Sequence, residues 1–326
     1  MRRLAWLGLV LAPALLGCTE EDPVGTADAY TLRVTGICAD GQGTIHAAAS
    51  MADGAGEPVK LGTKPRLTVE TRAEGSSSWQ TVEDITVGGK RRIDLALVAD
   101  NSSSEAALLG AIQNASKTFA HDVLGGGPSN RVGLVRVSTS ASVLSELTTS
   151  ATDIDAAVDG MFITNGWTAL WDGVRLGKQV LADGENEADA CGGGASPAIV
   201  LFTDGRDNNS SHEHETSVAD DGIDTSSSDL AAMTAEGVQT PIHVVGVGDT
   251  VDEATLSSLA AQTGGRYVSI DGYGELESAF DVVETDVTGA LPIAFAPEEC
   301  AKQVRVTVTV DGHTAATVVA LPELCQ

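Results

Sequence analysis

The side chains best equipped for chemistry stand together in Arg92-Ile-Asp-Leu-Ala-Leu-Val-Ala-Asp100-Asn-Ser102-Ser-Ser104. One carboxylate and two hydroxyls at D-x-S-x-S spacing fall within a single turn. Hard, short-armed oxygens of this kind suit Mg²⁺, Mn²⁺ or Ca²⁺. The same letters carry a plainer reading. Ser102 with Glu105 three residues on is a capping box, a device that only starts a helix. Nucleophilic chemistry at Ser102 fits less well, because the turn lacks G-x-S-x-G and no histidine is placed by motif to act as base. Dinucleotide binding fails for want of a glycine-rich fingerprint.

The elements that must position these groups can be read from periodicity. The apolar run Leu95 to Ala99 predicts a buried parallel strand that ends at Asp100. Leu108, Ile112, Ala115, Phe119 and Val123 share one stripe of the helix that follows. The cluster therefore belongs in a strand-to-helix turn at a strand's carboxyl end, where open α/β sheets hold ligands. The alternation continues to Leu291. Arg131–Val137, Pro197 to Asp204, Pro241–Gly248 and Arg266–Ile270 read as strands, and Val143–Leu147 as a short antiparallel edge strand. Helical stripes run through Ile154, Val158 and Phe162, then Leu170, Val174 and Leu181, with Gly177 positioned for a close approach. Thr250-x-x-Glu253 caps a helix holding Leu256 and Leu259 that stops at Gly264, and Leu276, Phe280, Val283 and Val287 line the last one. The expected fold class is α/β, a doubly wound, mostly parallel sheet flanked by helices, over residues 91–290.

This segment resembles a von Willebrand factor A-type (VWA) domain, whose fold is Rossmann-like. The resemblance rests on D-x-S-x-S, on Thr168 in Asn165-Gly-Trp-Thr168, and on Asp204 in Thr203-Asp204-Gly205. Val244-Val-Gly-Val-Gly and Thr263-Gly-Gly-Arg-Tyr267 add to it. It implies a metal-ion-dependent adhesion site in which Asp100, Ser102, Ser104, Thr168 and Asp204 hold a divalent cation, Mg²⁺ first, with Mn²⁺ or Ca²⁺ as alternatives. It also implies a binding protein, not an enzyme, that offers the cation to an Asp or Glu of a protein partner. Trp167 departs from the family pattern, standing where a second glycine is common. The plainer readings are that Thr168 is only an N-cap and Asp204-Gly205 only a turn. The polar loop from Arg206 to Asp224 is expected to overhang the cation. Within it, His212, Glu213, His214 and Glu215 offer a second metal site, though a solvated loop is the simpler expectation.

The ends of the chain describe its surroundings. Arg2 and Arg3 precede an apolar run from Leu4 to Leu16, which reads as a signal peptide over residues 1–17. Leu15-Leu16-Gly17-Cys18 resembles the bacterial lipobox, which implies cleavage before Cys18 and lipidation of its thiol. Residues 18–28 then form an acidic tether. The expected location is the bacterial cell envelope, with the lipid as the sole membrane contact. A net charge of −27 and a pI near 4.3 argue against nucleic acid as a partner. Cys38, Cys191, Cys300 and Cys325 remain, an even number in an exported chain, which suggests disulfides. Sequence does not separate the three pairings; the expectation is Cys300–Cys325 with Cys38–Cys191. Alternating stretches in residues 29–90, and the hairpin with Asp311-Gly312 at its tip in residues 291–326, predict a small β-rich domain built from both termini. A competing account is a scaffold lipoprotein whose cation mainly steadies the fold.

Overall fold

The computed structural model describes residues 30–61, 65–88, 91–102, 109–162, 166–183, 195–210, 226–227, 229–230, 240–297 and 300–322. Six strands precede the central body: β1 (Thr31–Ala39), β2 (Ile45–Ala52), β3 (Pro58–Val59), β4 (Arg66–Ala73), β5 (Gln80–Thr81) and β6 (Ile85–Val87). Three follow it: β13 (Leu291–Phe295), β14 (Ala301–Val310) and β15 (His313–Ala320). One antiparallel sheet runs β1-β2-β13-β6 with β3 on β2, and the other runs β15-β14-β4-β5. Both ends of the chain thus contribute to both sheets. The two sheets share one core that includes Leu32, Val34, Ile45, Met51, Val69, Phe295, Val306 and Val308. The β14–β15 turn is the two-residue Asp311-Gly312, with φ of 51° and 87°, the backbone that a tight hairpin requires. β2 and β13 had no counterpart among the sequence expectations.

Between these sheets the chain alternates. β7 (Arg92–Asp100), β8 (Arg131–Val137), β9 (Ala141–Thr148), β10 (Ala195–Thr203), β11 (Ile242–Val247) and β12 (Tyr267–Ile270) form a six-stranded sheet in the order β12-β11-β10-β7-β8-β9. Five strands are parallel and the edge strand β9 is antiparallel. β7 is buried on both faces, as its unbroken apolar run requires. Its odd residues Leu95, Leu97 and Ala99 meet α1 (Leu109–Gly125), α2 (Ala151–Asp159) and the last helix, α5 (Leu276–Gly289). Its even residues Ala96 and Val98 meet α3 (Leu170–Asp183) and α4 (Glu253–Thr263). Each fully buried Leu or Val here contributes about 1.5–3 kcal/mol through removal from water. α3 lies close to the sheet because Gly173 faces it; a Cβ there would come within 2.2 Å of Val137. Gly177, one turn on, makes the close approach expected of it, with a Cβ position 3.1 Å from Val98.

The chain leaves β7 toward β8 and returns on β7's other flank as β10. The winding therefore reverses between the carboxyl ends of β7 and β10, the crevice where such sheets place ligands. Among the described residues no helix is long and apolar enough to cross a membrane.

Two local expectations are corrected. Phe162 lies beyond α2 and is 54% exposed, with the Arg136 guanidinium over its ring, instead of sharing the buried stripe of Ile154 and Val158. The cap of α4 is Asp252, whose side chain accepts from the Thr255 amide, and not Thr250. Gly264 ends that helix in the left-handed conformation, as expected. Cys38 and Cys300 are each disulfide-bonded. Cys191 and Cys325, their expected partners, lie outside the described residues, as do Cys18 and the signal segment.

Candidate cation site

β7 carries Asp100 to the edge of the crevice, where it is 1% exposed. The chain turns there because the carboxylate captures its own downstream backbone. Asp100 Oδ1 accepts the Ser102 amide at 2.9 Å and the Ser102 hydroxyl at 2.6 Å. The Asn101 amide extends the ladder to Val137 O at 3.0 Å, and its side-chain amide donates to Phe162 O. The second carboxylate oxygen, Oδ2, accepts the Thr203 hydroxyl from β10 at 2.7 Å. Ser102 Oγ stands 2.7 Å from Thr168 Oγ1, which joins the second loop to the first.

Thr168 is free for this contact because it is not the cap of α3. The first amides of that helix are taken by the loop after β10: Leu170 donates to Asp207 Oδ1 at 2.8 Å, while Trp171 and Asp172 donate to Ser210 Oγ at 3.0 and 3.2 Å. Asn208 grips Thr168 from both sides, accepting its amide at 2.7 Å and donating its own amide to Thr168 O at 3.0 Å. The start of the loop at 206–224 thus ties the second and third loops together, and Asn209 and Ser210 are fully buried; the part of the loop that would overhang the cation lies outside the described residues. Its continuation, with His212, Glu213, His214 and Glu215, lies outside the described residues.

The third loop brings Asp204 and Gly205. Asp204 is half-buried; its carboxylate accepts the Tyr273 hydroxyl and its carbonyl accepts Thr250 Oγ1 at 2.5 Å. A Cβ at Gly205 would lie 3.8 Å from Asp100 Oδ2 and 3.9 Å from Thr168 Oγ1, so this backbone abuts both. Four of the five residues expected from sequence therefore converge: Asp100, Ser102, Thr168 and Asp204. Ser104 lies outside the described residues. Trp167 stands beside them, 44% exposed.

Burial pushes the Asp100 carboxyl up to about 6; hydrogen bonds from Ser102 and Thr203 oppose this, and the neighbouring Asp204 charge adds to it. Its hydrogen bonds come from hydroxyls and one amide. No guanidinium or ammonium pairs with it among the described residues. This donor set fits a small divalent cation. Adjacent oxygens of an octahedron around Mg²⁺ stand about 2.9 Å apart, given bonds of about 2.0–2.1 Å. The contacts linking Asp100, Ser102 and Thr168 already sit near that spacing. Among the described residues the Ser102 hydroxyl is hydrogen-bonded to Asp100 Oδ1 and Thr168 Oγ1.

Sequence reasoning missed the supporting residues. Thr203 was visible only as the letter before Asp204. Tyr273, Asp207 and Asn208 carried no motif, and their roles come from contacts 36 to 69 residues away in sequence.

No curated protein matches the chain. Among solved structures it is similar to proximal thread matrix protein 1 from the mussel byssus, described with a zinc-occupied MIDAS motif. That match has 22% identity and a TM-score of 0.47, over 65% of this chain and 49% of that one, so this chain spans about half the mussel protein's length. It is also similar to the vWF domain of the type V pili tip protein Mfa5 from Porphyromonas gingivalis, at 14% identity and TM-score 0.45, over 61% of this chain and 95% of that one. A third is the von Willebrand factor type A protein from Catenulispora acidiphila, at 12% identity and TM-score 0.46, over 90% and 73% of the two chains. Residues 94–282, more than half of the 326, match the von Willebrand factor type A domain, and the chain belongs to that family of adhesion and protein-interaction domains.

Proposed function

We propose that this chain is an exported binding protein that recognises a partner's carboxylate through a divalent cation. Asp100, Ser102, Ser104, Thr168 and Asp204 would hold the ion, with Mg²⁺ the first candidate and Mn²⁺ or Ca²⁺ the alternatives. The observation that carries this reading is Asp100: a sealed carboxylate whose hydrogen-bond partners include Ser102, itself joined to Thr168, and which has no cationic side chain beside it among the described residues. Bound there, a cation would supply an electrophilic vacancy for a protein ligand's Asp or Glu. The chain's own part is to fix the oxygens: β7 and β10 set the two carboxylates, and Asn208 sets Thr168. Exposed Trp167 and Phe162 flank this face and offer a partner apolar contact.

The lipobox-like Leu15-Leu16-Gly17-Cys18 supports a lipid anchor at Cys18 and a place in the bacterial cell envelope. The proposed layout is a signal peptide at 1–17, a tether at 18–28, β-rich segments at 29–90 and 291–326, and the VWA unit at 91–290. The proposed bridges are Cys300–Cys325 and Cys38–Cys191.

A scaffold in an envelope assembly is the second reading. It is favoured by the same buried carboxylate, since a cation that relieves its burial also steadies the fold. Capture of partners from envelope extract, in Mg²⁺ against EDTA, separates the two. Partner retention in Mg²⁺ that is lost with EDTA and with Thr168→Val supports adhesion. Equal retention by that variant and the parent overturns it.

A further inference from the structure

The opposite, amino end of the central sheet holds a second feature that the cation site does not use. A cavity of about 610 Å³ lies where β7 begins, between the end of α5, the α1–β8 loop and Pro292 of β13. Its wall is apolar at Ile93, Val287, Ala290 and Pro292, with the hydroxyl-bearing residues Ser129 and Ser196 also lining it. Arg91 lines it too. Nη1 of Arg91 is sealed from solvent and has no hydrogen-bond partner among the described residues.

The neighbouring guanidiniums show what Arg91 lacks. Arg92 and Arg131 both bind Asp94, and both of its oxygens are taken: Arg92 Nε and Arg131 Nε reach Oδ1 at 3.0 and 2.8 Å, and their Nη2 atoms reach Oδ2 at 2.9 and 2.7 Å. Burial lowers the Arg91 pKa, and no anion among the described residues offsets it. This occurs in a chain with 46 acidic residues against 19 Lys and Arg. Arg91 is only partly buried as a whole, but a guanidinium nitrogen that is desolvated without a partner is costly unless something outside the fold pairs with it.

We propose that this cavity is a binding site for a small organic carboxylate with an apolar body, held end-on by Arg91. A planar carboxylate matches the guanidinium fork, and the single charge of Arg91 balances one negative charge. The apolar wall takes the ligand's hydrocarbon, and the volume lies within the usual range of small-ligand sites.

The test uses the purified full chain in EDTA, so that the cation site offers no ion to a carboxylate. Octanoate, octanamide and octyl phosphate are titrated calorimetrically into the parent and Arg91→Met. The expected result is saturable 1:1 octanoate binding, at least tenfold weaker for octanamide and for Arg91→Met, while Arg91→Met melts at or above the parent. Absence of octanoate binding by the parent, or equal binding by the variant, overturns the proposal. Tighter binding of octyl phosphate overturns the carboxylate assignment. A melting temperature of Arg91→Met well below the parent's makes the arginine structural and overturns it as well.

Discussion

Strand β7 carries a buried aspartate near each end, and the two are treated in opposite ways. Asp94 and Asp100 are both 1% exposed. Asp94, at the amino end, receives two guanidiniums in forked geometry from Arg92 and Arg131. Asp100, six residues on, receives hydroxyls from Ser102 and Thr203 and one amide. The first carboxylate is neutralised within the fold. The second is oriented but left with its charge, and its orienting groups are themselves oxygen donors. The arginines balance the charge of Asp94 within the fold; the hydroxyls and amide around Asp100 orient its carboxylate without balancing it, which is what the proposed cation would do. Asp286 follows the Asp94 pattern, bound by Arg266 and by Arg33, where sheet β1-β2 meets the central body.

The largest expected difference between the two ends is in mutational stability. Arg131→Met should lower the unfolding free energy in urea by about 3 kcal/mol, because it strips one partner from a buried charge. Asp100→Asn in EDTA should cost nothing or stabilise, because it removes an uncompensated one. A comparable loss in both variants would erase the distinction.

Acid should act on the Asp100 end in a defined direction. Its folded pKa of about 6 lies above the unfolded value of about 3.8. The folded state therefore binds the extra proton between these values, and the penalty present at neutral pH is relieved as pH falls from about 6 to about 4. A rise of this size in the folded pKa corresponds to a gain on the order of 3 kcal/mol once the proton is bound. Buried His243, depressed to about 4 mainly by burial, acts oppositely, since its unfolded form takes up the proton first as pH falls through about 6.5. The measurement is therefore the difference in urea stability between the parent and Asp100→Asn across this range in EDTA. A flat difference would contradict the assigned pKa.

Mg²⁺ should reverse the penalty. At a hundredfold excess over its dissociation constant it should add about 2.7 kcal/mol to the parent. It should add nothing to Asp100→Asn or to Arg131→Met/Asp100→Asn. Persistence of the increase in Asp100→Asn would place the ion elsewhere. The smallest effect is expected at the rim of the site. Tyr273→Phe frees an oxygen of Asp204 and should tighten cation binding by less than tenfold, about 1 kcal/mol at most, as read by calorimetry. A complete loss of binding would make Tyr273 a principal organiser of the site.

The amino-acid order alone settled what depends on local pattern. The apolar runs of β7 and β10, the stripe of Ile112, Phe119 and Val123, and the Asp311-Gly312 turn are dictated by neighbours a few residues apart. Asp100 and Ser102 were legible together because one turn encloses both. β2 was not legible, because alternation needs one wet face. Its residues Ala47, Ala49 and Met51 pack into the sandwich, while Ala48 and Ser50 face a small cavity shared with His243 and Pro197. The helix cap assigned to Thr250 went to Asp252, and the hydroxyl of Thr250 went instead to Asp204 O. The motif resemblance already put Thr168 with Ser102; only tertiary structure decided how, because Asp207 and Ser210, far along the chain, satisfy the helix amides that Thr168 would otherwise serve. Tertiary structure alone decided that Arg92 and Arg131 share Asp94 and leave Arg91 without it. Hydrogen-bonding capacity is limited, and which group takes which partner is settled only when the strands and loops are brought side by side.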